Sequence, residues 1–150
     1  MKPLMGRDTL APYDLHAIKH VRGVDHNESI AIGPRGEAYT TSFLTKNVYR
    51  LNLETNLGEV FANTAPQTIL GQVIDADGNL YGAVCDGPLS CIKKITPSGA
   101  QSVYAAGTDG KGFMSANTPV FDRSGNMYLS DTGSWSATID GRMYKIAPGG

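Results

Sequence analysis

The sequence predicts an all-β chain in which one four-stranded unit recurs about three times, and three observations predict it. The first is an internal repeat. Gly33-Pro34-Arg35-Gly36-Glu37-Ala38-Tyr39, Asp75-Ala76-Asp77-Gly78-Asn79-Leu80-Tyr81 and Asp122-Arg123-Ser124-Gly125-Asn126-Met127-Tyr128 each read as a tight turn that enters a strand through Tyr. The second is the period: Gly36, Gly78 and Gly125 stand 42 and 47 residues apart, the spacing of propeller blades and too long for most helical or leucine-rich repeats. The third is composition. Glycine supplies 18 of 150 residues and charged residues only 18%, against a usual ~25% charged, so turns are many and faces are buried. Together they imply a β-propeller.

Each blade resolves into strands once the turn glycines fix the register. The innermost strands are expected at residues 29–32, 72–74 and 118–121, short and apolar. Second strands follow at 38–43, 80–85 and 127–131, rich in Tyr, Thr and Val as half-buried strands are. Third strands come after a variable loop, at 48–51, 92–95 and 143–146, each with apolar ends and a basic residue before the last. Turns such as Thr96-Pro97-Ser98-Gly99 close them, with Pro and Gly where they set backbone angles. Fourth strands are expected at 59–62 and 101–104. Blade 1 then spans 28–62, blade 2 spans 70–106 and an incomplete blade 3 spans 117–150.

Residues 1–14 read as an N-terminal extension and 15–23 as the outer strand of a closing blade, because Ile18 precedes Glu28 much as Phe61 precedes Leu70. An arc of three blades leaves sheet edges that ring closure would remove. Two explanations stand: a truncation of a longer six-bladed protein, the favoured one, and a half-propeller that closes as a symmetric homodimer.

The same register picks out the chemistry. Eight residues before each turn glycine lie Glu28, Leu70 and Asn117: a carboxylate, an apolar side chain and an amide. Glu28 alone reads as a solvated loop carboxylate; its register with Asn117 sets two oxygen-bearing side chains at equivalent blade entrances. Asp131 falls across the hairpin from Asn117. It reads either as an acceptor that orients the Asn117 amide or as a general base for water, and otherwise as a loop-start Asp that satisfies nearby backbone amides. His26, two residues before Glu28, reads either as lining the same mouth or as a solvated loop His, and Trp135 with Ser134 in the long loop of blade 3 either walls a substrate pocket or, for Trp135, packs against the neighbouring blade. His16 and His20 read as outer-strand surface residues.

A net charge of −1 gives no electrostatic footprint for nucleic acid or an anionic membrane, and neither partner is expected. The first residues hold no apolar signal core, so a cytoplasmic location is expected. Cys85 and Cys91, the only cysteines, flank a hairpin loop that leaves a disulfide geometrically conceivable, although a reducing compartment argues for free thiols. Several motifs fail. Asp75-Ala76-Asp77-Gly78-Asn79 has its Gly too early for a helix-loop-helix calcium site. Gly107-Thr108-Asp109-Gly110-Lys111-Gly112 lacks the Ser or Thr of a phosphate loop and reads as a mobile inter-blade loop. Asn27-Glu28-Ser29 is a glycosylation sequon that matters only in a secreted protein.

Asn27-Glu28-Ser29-Ile30-Ala31-Ile32, Ile74-Asp75-Ala76-Asp77-Gly78-Asn79-Leu80-Tyr81, Asn117-Thr118-Pro119-Val120-Phe121-Asp122 and Gly125-Asn126-Met127-Tyr128-Leu129-Ser130-Asp131 together resemble the regucalcin/gluconolactonase (senescence marker protein-like) family. Strictosidine-synthase-like and diisopropylfluorophosphatase-like propellers are its cousins. The resemblance covers roughly residues 15–150, about the first half of a member. It implies six blades around one calcium ion, or another divalent cation, held by a first-blade Glu and by Asn and Asp residues of later blades. Glu28 then matches the metal-binding Glu and Asn117 the third-blade Asn that reaches metal or substrate. The implied activity is a calcium-dependent lactonase or ester hydrolase acting on a small lactone or ester, with Asp131 and Asn117 in catalysis and Asn117, Trp135 and His26 about the substrate. The alternatives are a non-catalytic ligand- or protein-binding propeller and a strictosidine-synthase-like one.

Overall fold

The computed structural model describes residues 21–136 and 138–150. They form thirteen strands and no α-helix: β1 Asn27–Ile32, β2 Ala38–Ser42, β3 Asn47–Asn52, β4 Leu57–Asn63, β5 Ile69–Ile74, β6 Leu80–Val84, β7 Cys91–Ile95, β8 Gln101–Ala105, β9 Gly107–Thr108, β10 Lys111–Gly112, β11 Ala116–Phe121, β12 Met127–Asp131 and β13 Arg142–Ile146. They pair as antiparallel meanders β1-β2-β3-β4, β5-β6-β7-β8 and β11-β12-β13, with β9 and β10 as a small ribbon. β5 packs against both β1 and β11, so the first strand of the middle sheet lies between those of the other two. This is the partial propeller of about three blades. The 107–112 segment, expected as a loop, is the ribbon. Residues 15–20 of the expected outer strand lie outside the described residues; Arg22 makes a parallel bridge with Leu57 at the edge of β4.

The repeated turns hold their shape by local hydrogen bonds. Asp75 Oδ1 accepts from the amides of Asp77 and Asn79 at 3.0 and 2.8 Å, and Asp122 Oδ1 does the same for Ser124 and Asn126 at 2.8 and 2.9 Å. Gly78 and Gly125 then take φ of +86° and +79°, a left-handed turn that glycine enters without a Cβ penalty. Blade 1 has no Asp at that place. Glu37 substitutes, accepting the Arg35 amide at 3.0 Å and pairing with its guanidinium at 2.8 Å.

Side chains alternate between the two faces of each sheet, so each interface takes every second residue. Between blades 1 and 2 lie Val48, Ala62, Ile69, Leu80, Val84, Cys91 and Ile95. Between blades 2 and 3 lie Tyr81, Ala83, Ile92, Phe113, Ala116, Met127 and Leu129. Tyr81 is the centre of the second interface, edge-on to Tyr104 at 4.9 Å and to Phe121 at 5.1 Å. The opposite faces of the outer blades carry exposed apolar residues: Ile30, Ile32 and Val60 on blade 1, Val120, Tyr128 and Met143 on blade 3.

Blades 1 and 2 are also tied by Gln72, whose Nε2 donates to Ser29 O at 3.3 Å and Tyr39 O at 3.0 Å. Blades 2 and 3 approach closely at Gly71. A Cβ there would lie 2.2 Å from Asn117 O and 2.8 Å from Thr118 Cα, so only glycine lets β11 come this near to β5.

Candidate functional site

Three β-bulges build the site. Pairing of the innermost strand with the second slips between Asn27 and Ile30 in blade 1, between Ile69 and Gln72 in blade 2, and between Ala116 and Thr118 in blade 3. Glu28, Leu70 and Asn117 fall inside these irregularities. A bulge adds a residue to one strand and re-aims side chains, which is why bulges recur beside binding sites. Equivalent positions in three blades are therefore freed from regular pairing at the same end of adjoining strands.

In blade 1 the Glu28 side chain keeps 32% of its surface exposed and its Oε1 stands 3.4 Å from His26 Nε2. The His26 ring leans on Phe43 at 5.6 Å. Lys46 Nζ sits 4.7 Å from the Phe43 ring centre and donates to Phe43 O at 2.6 Å. Asp25 anchors the entry to β1: its carboxylate accepts from the Ser42 hydroxyl and, at 3.1 Å, from Tyr49 OH. The Ser42 hydrogen bond, with smaller help from Thr45 and Tyr49, holds the Asp25 carboxyl below the usual carboxylate range. Nothing in the local pattern marks Asp25 as special, because its partners lie 17 and 24 residues away.

In blade 3 the Asn117 amide is oriented by Thr132 rather than by Asp131. Asn117 Nδ2 donates to Thr132 Oγ1 at 2.9 Å, and Asn117 Oδ1 accepts from Thr118 Oγ1 at 3.1 Å. Asp131 pairs in register with Ala116, one residue from Asn117. Its buried carboxylate accepts three backbone amides: Met114 on Oδ2 at 2.8 Å, and Ser115 and Gly133 on Oδ1 at 2.8 and 2.9 Å. Of the readings open for this residue, binding nearby backbone amides is the arrangement present, and it locks two loops together. Ser90 adds a second lock, donating from Oγ to Val84 O at 2.8 Å and accepting the Ala116 amide at 2.9 Å.

The loops above blades 2 and 3 border an open cavity of about 460 Å³ lined by Cys85, Pro88, Phe113, Met114, Ser134 and Trp135 with adjoining glycines. Trp135 holds a left-handed φ of +56° and leaves 65% of its surface exposed. Its Nε1 donates to Ser115 Oγ. Burial pushes the Cys85 thiol up, the Asp86 carboxylate adds to this, and Glu28 acts in the same direction while Lys46 opposes. Cys91 is buried in the interface with blade 1, whereas Cys85 lines the cavity toward blade 3. Both are free thiols.

Among the described residues no group of three or more His, Cys, Asp or Glu side chains could hold a metal. Glu28 and Asn117 nonetheless offer suitable atoms. Glu28 has a part-exposed carboxylate with His26 as its ion-pair neighbour. Asn117 Oδ1 accepts one hydrogen bond, and an amide oxygen has a second lone pair. Both are hard oxygen donors of the kind calcium prefers, two of the six to eight it takes. Among the described residues no helix is long and apolar enough to cross a membrane.

No protein-family model matches the chain and no curated protein is significantly similar to it in sequence. Its fold is shared with solved structures at low identity. A gluconolactonase from Xanthomonas campestris superposes with a TM-score of 0.67 at 17% identity, over 88% of this chain and 46% of that one. The calcium-binding protein regucalcin from Agrobacterium tumefaciens gives 0.53 at 19%, over 74% and 40%. The PQQ-bound aldose sugar dehydrogenase of Streptomyces coelicolor gives 0.71 at 13%, over 89% and 48%. The chain thus spans less than half the length of each. Identities this low show the propeller fold, which serves more than one chemistry.

Proposed function

We propose that these blades form part of the mouth of a calcium-dependent hydrolase of the gluconolactonase kind, acting on a small lactone or ester. The observation that carries this reading is the placement of Glu28 and Asn117 in equivalent bulges of innermost strands that both flank β5. Likeness of fold to a gluconolactonase and to a calcium-binding regucalcin supports it.

Glu28 and Asn117 would hold the ion, with further oxygen ligands from outside this chain's own blades. Bound calcium would polarise the carbonyl oxygen and offset the charge that develops as water adds. This chain's residues prepare the site for that chemistry. Thr132 takes the donor end of the Asn117 amide, which leaves Oδ1 to serve as the ligand atom. Asp131 fixes the backbone of Met114, Ser115 and Gly133, so the loops beside Asn117 need no reorganisation when substrate arrives. His26 lies beside Glu28 and would meet the substrate on the blade 1 side. Trp135 would meet it on the blade 3 side.

A second reading is a non-catalytic ligand-binding propeller. The commitment of both Asp131 oxygens to backbone amides favours it, because that carboxylate is then not free to take a proton from water. Lactone hydrolysis by the assembled ring, followed by proton release with calcium present and again after chelation, decides between them. Hydrolysis that is lost on chelation and restored by calcium supports the hydrolase. Saturable lactone binding without turnover supports the second reading.

A further inference from the structure

We propose that the cavity between the tops of blades 2 and 3 binds an apolar group, aliphatic or aromatic, of the lactone or ester acted on at this mouth. The inference rests on the hydrolase reading for its location and on the cavity's own chemistry for the substrate class.

The cavity adjoins the Asn117 site through the chain itself. Thr132, the partner of Asn117, is followed directly by Gly133, Ser134 and Trp135, which line the cavity. Ser115 lies between: its carbonyl accepts the Thr132 amide at 2.9 Å, and its hydroxyl donates to Cys85 O at 3.4 Å while accepting from Trp135 Nε1. Its volume of about 460 Å³ falls within the range of small-molecule pockets, roughly 300–1,000 Å³.

Most of the donors in these walls are already taken. The Gly133 and Met114 amides are held by Asp131, and the Ser134 amide by Asp140 Oδ1 at 3.0 Å. Ser134 Oγ is bonded to Ser136 Oγ at 2.7 Å. The amides of Cys85 and Phe113 are bonded to Thr68 O and Ala106 O, both at 3.1 Å. With Trp135 Nε1 engaged as well, a polyhydroxylated sugar ring would find few donors free for its oxygens, so giving up their water is poorly compensated. The faces of Phe113 and Trp135, the Met114 thioether and the Pro88 ring instead reward apolar area.

Trp135 is the single tryptophan, so its emission reports on the cavity without turnover. The 150-residue chain is titrated in a chelating buffer with δ-dodecalactone and, separately, with glucono-δ-lactone. The expected result is a saturable change in Trp135 emission with the alkyl lactone at a concentration at least about tenfold lower than with the sugar lactone, the factor expected for burying one or two methylenes. Met114→Gln should weaken the alkyl lactone several-fold. Cys85 offers an independent readout, since Cys91 is buried: N-ethylmaleimide labelling of the native wild-type chain should slow when δ-dodecalactone is present and not with the sugar lactone. No saturable response, equal response to both lactones, or unprotected Cys85 overturns the assignment. Saturation of Trp135 by the alkyl lactone with no hydrolysis in the calcium-loaded ring keeps the cavity and overturns the hydrolase. Turnover of the sugar lactone with no Trp135 response to the alkyl one overturns the cavity alone.

Discussion

The side-chain amide of Asn117 donates to Thr132 Oγ1 across the rim of blade 3, at 2.9 Å. An amide held by its nitrogen presents its oxygen to the other side, so this contact decides what Asn117 can bind. Thr132→Val keeps the shape of the side chain and removes the acceptor. Loss of one such hydrogen bond is worth about 1 kcal/mol, so calcium affinity of the assembled ring should fall about fivefold, with a fall in melting temperature of no more than about 2–4 °C. Calorimetric titration with calcium checks it; an unchanged affinity removes Thr132 from the orientation of the ligand.

Asp131 is argued to fix loops rather than to transfer a proton. Asp131→Asn replaces one acceptor oxygen with an NH₂ group facing backbone donors, and a buried unsatisfied group costs about 1–3 kcal/mol. A fall in melting temperature of roughly 5–10 °C is expected. Thermal unfolding reads this directly, and a variant that loses turnover while melting as the wild type would make Asp131 a catalytic base.

Gly71→Ala tests the contact between blades 2 and 3 beneath the site. The added Cβ would meet Asn117 O at 2.2 Å, and backbone cannot yield as a flexible side chain can. Overpacking of this kind costs about 1–3 kcal/mol. Earlier unfolding in urea, accompanied by weakened calcium binding, is the expected outcome.

Acid should loosen the blade turns. Burial pushes the Asp75 carboxyl up, but hydrogen bonds from Asn79, Tyr81 OH and the Asp77 amide outweigh it, and the group titrates below its ordinary value. A depressed carboxyl stabilises the fold fully above its unfolded pKa of about 3.9 and loses that contribution as pH falls through the folded value. The melting temperature of the wild type should therefore drop as pH is lowered below about 4, and Asp75→Asn should flatten that part of the profile.

Much of this architecture is legible in the sequence because a propeller repeats its local rules. The Asp-x-x-Gly-Asn turns fix a register, and the register places the strand cores; β2, β6 and β7 come within a residue of their expected bounds at each end. The same register finds Glu28, Leu70 and Asn117, although not that each sits in a bulge, since an extra residue in one strand leaves no mark in its own composition. Long-range hydrogen bonds are equally silent. Asp25 with Tyr49, Ser90 with Ala116 and Asp131 with Met114 join positions 24, 26 and 17 residues apart, where only the folded chain brings donor and acceptor together. The two cysteines illustrate the limit: spacing allows a bridge, while the sheet sends one thiol toward blade 1 and the other toward the blade 3 cavity.

Glu28 is proposed to anchor a cation on which hydrolysis depends. Calcium titration and lactone turnover of the assembled ring, measured side by side for the wild type and for Glu28→Ala, test it most directly. Calcium affinity and turnover should be lost together while the ring still melts cooperatively. Turnover that persists with an unchanged calcium titration would contradict it and remove Glu28 from the site.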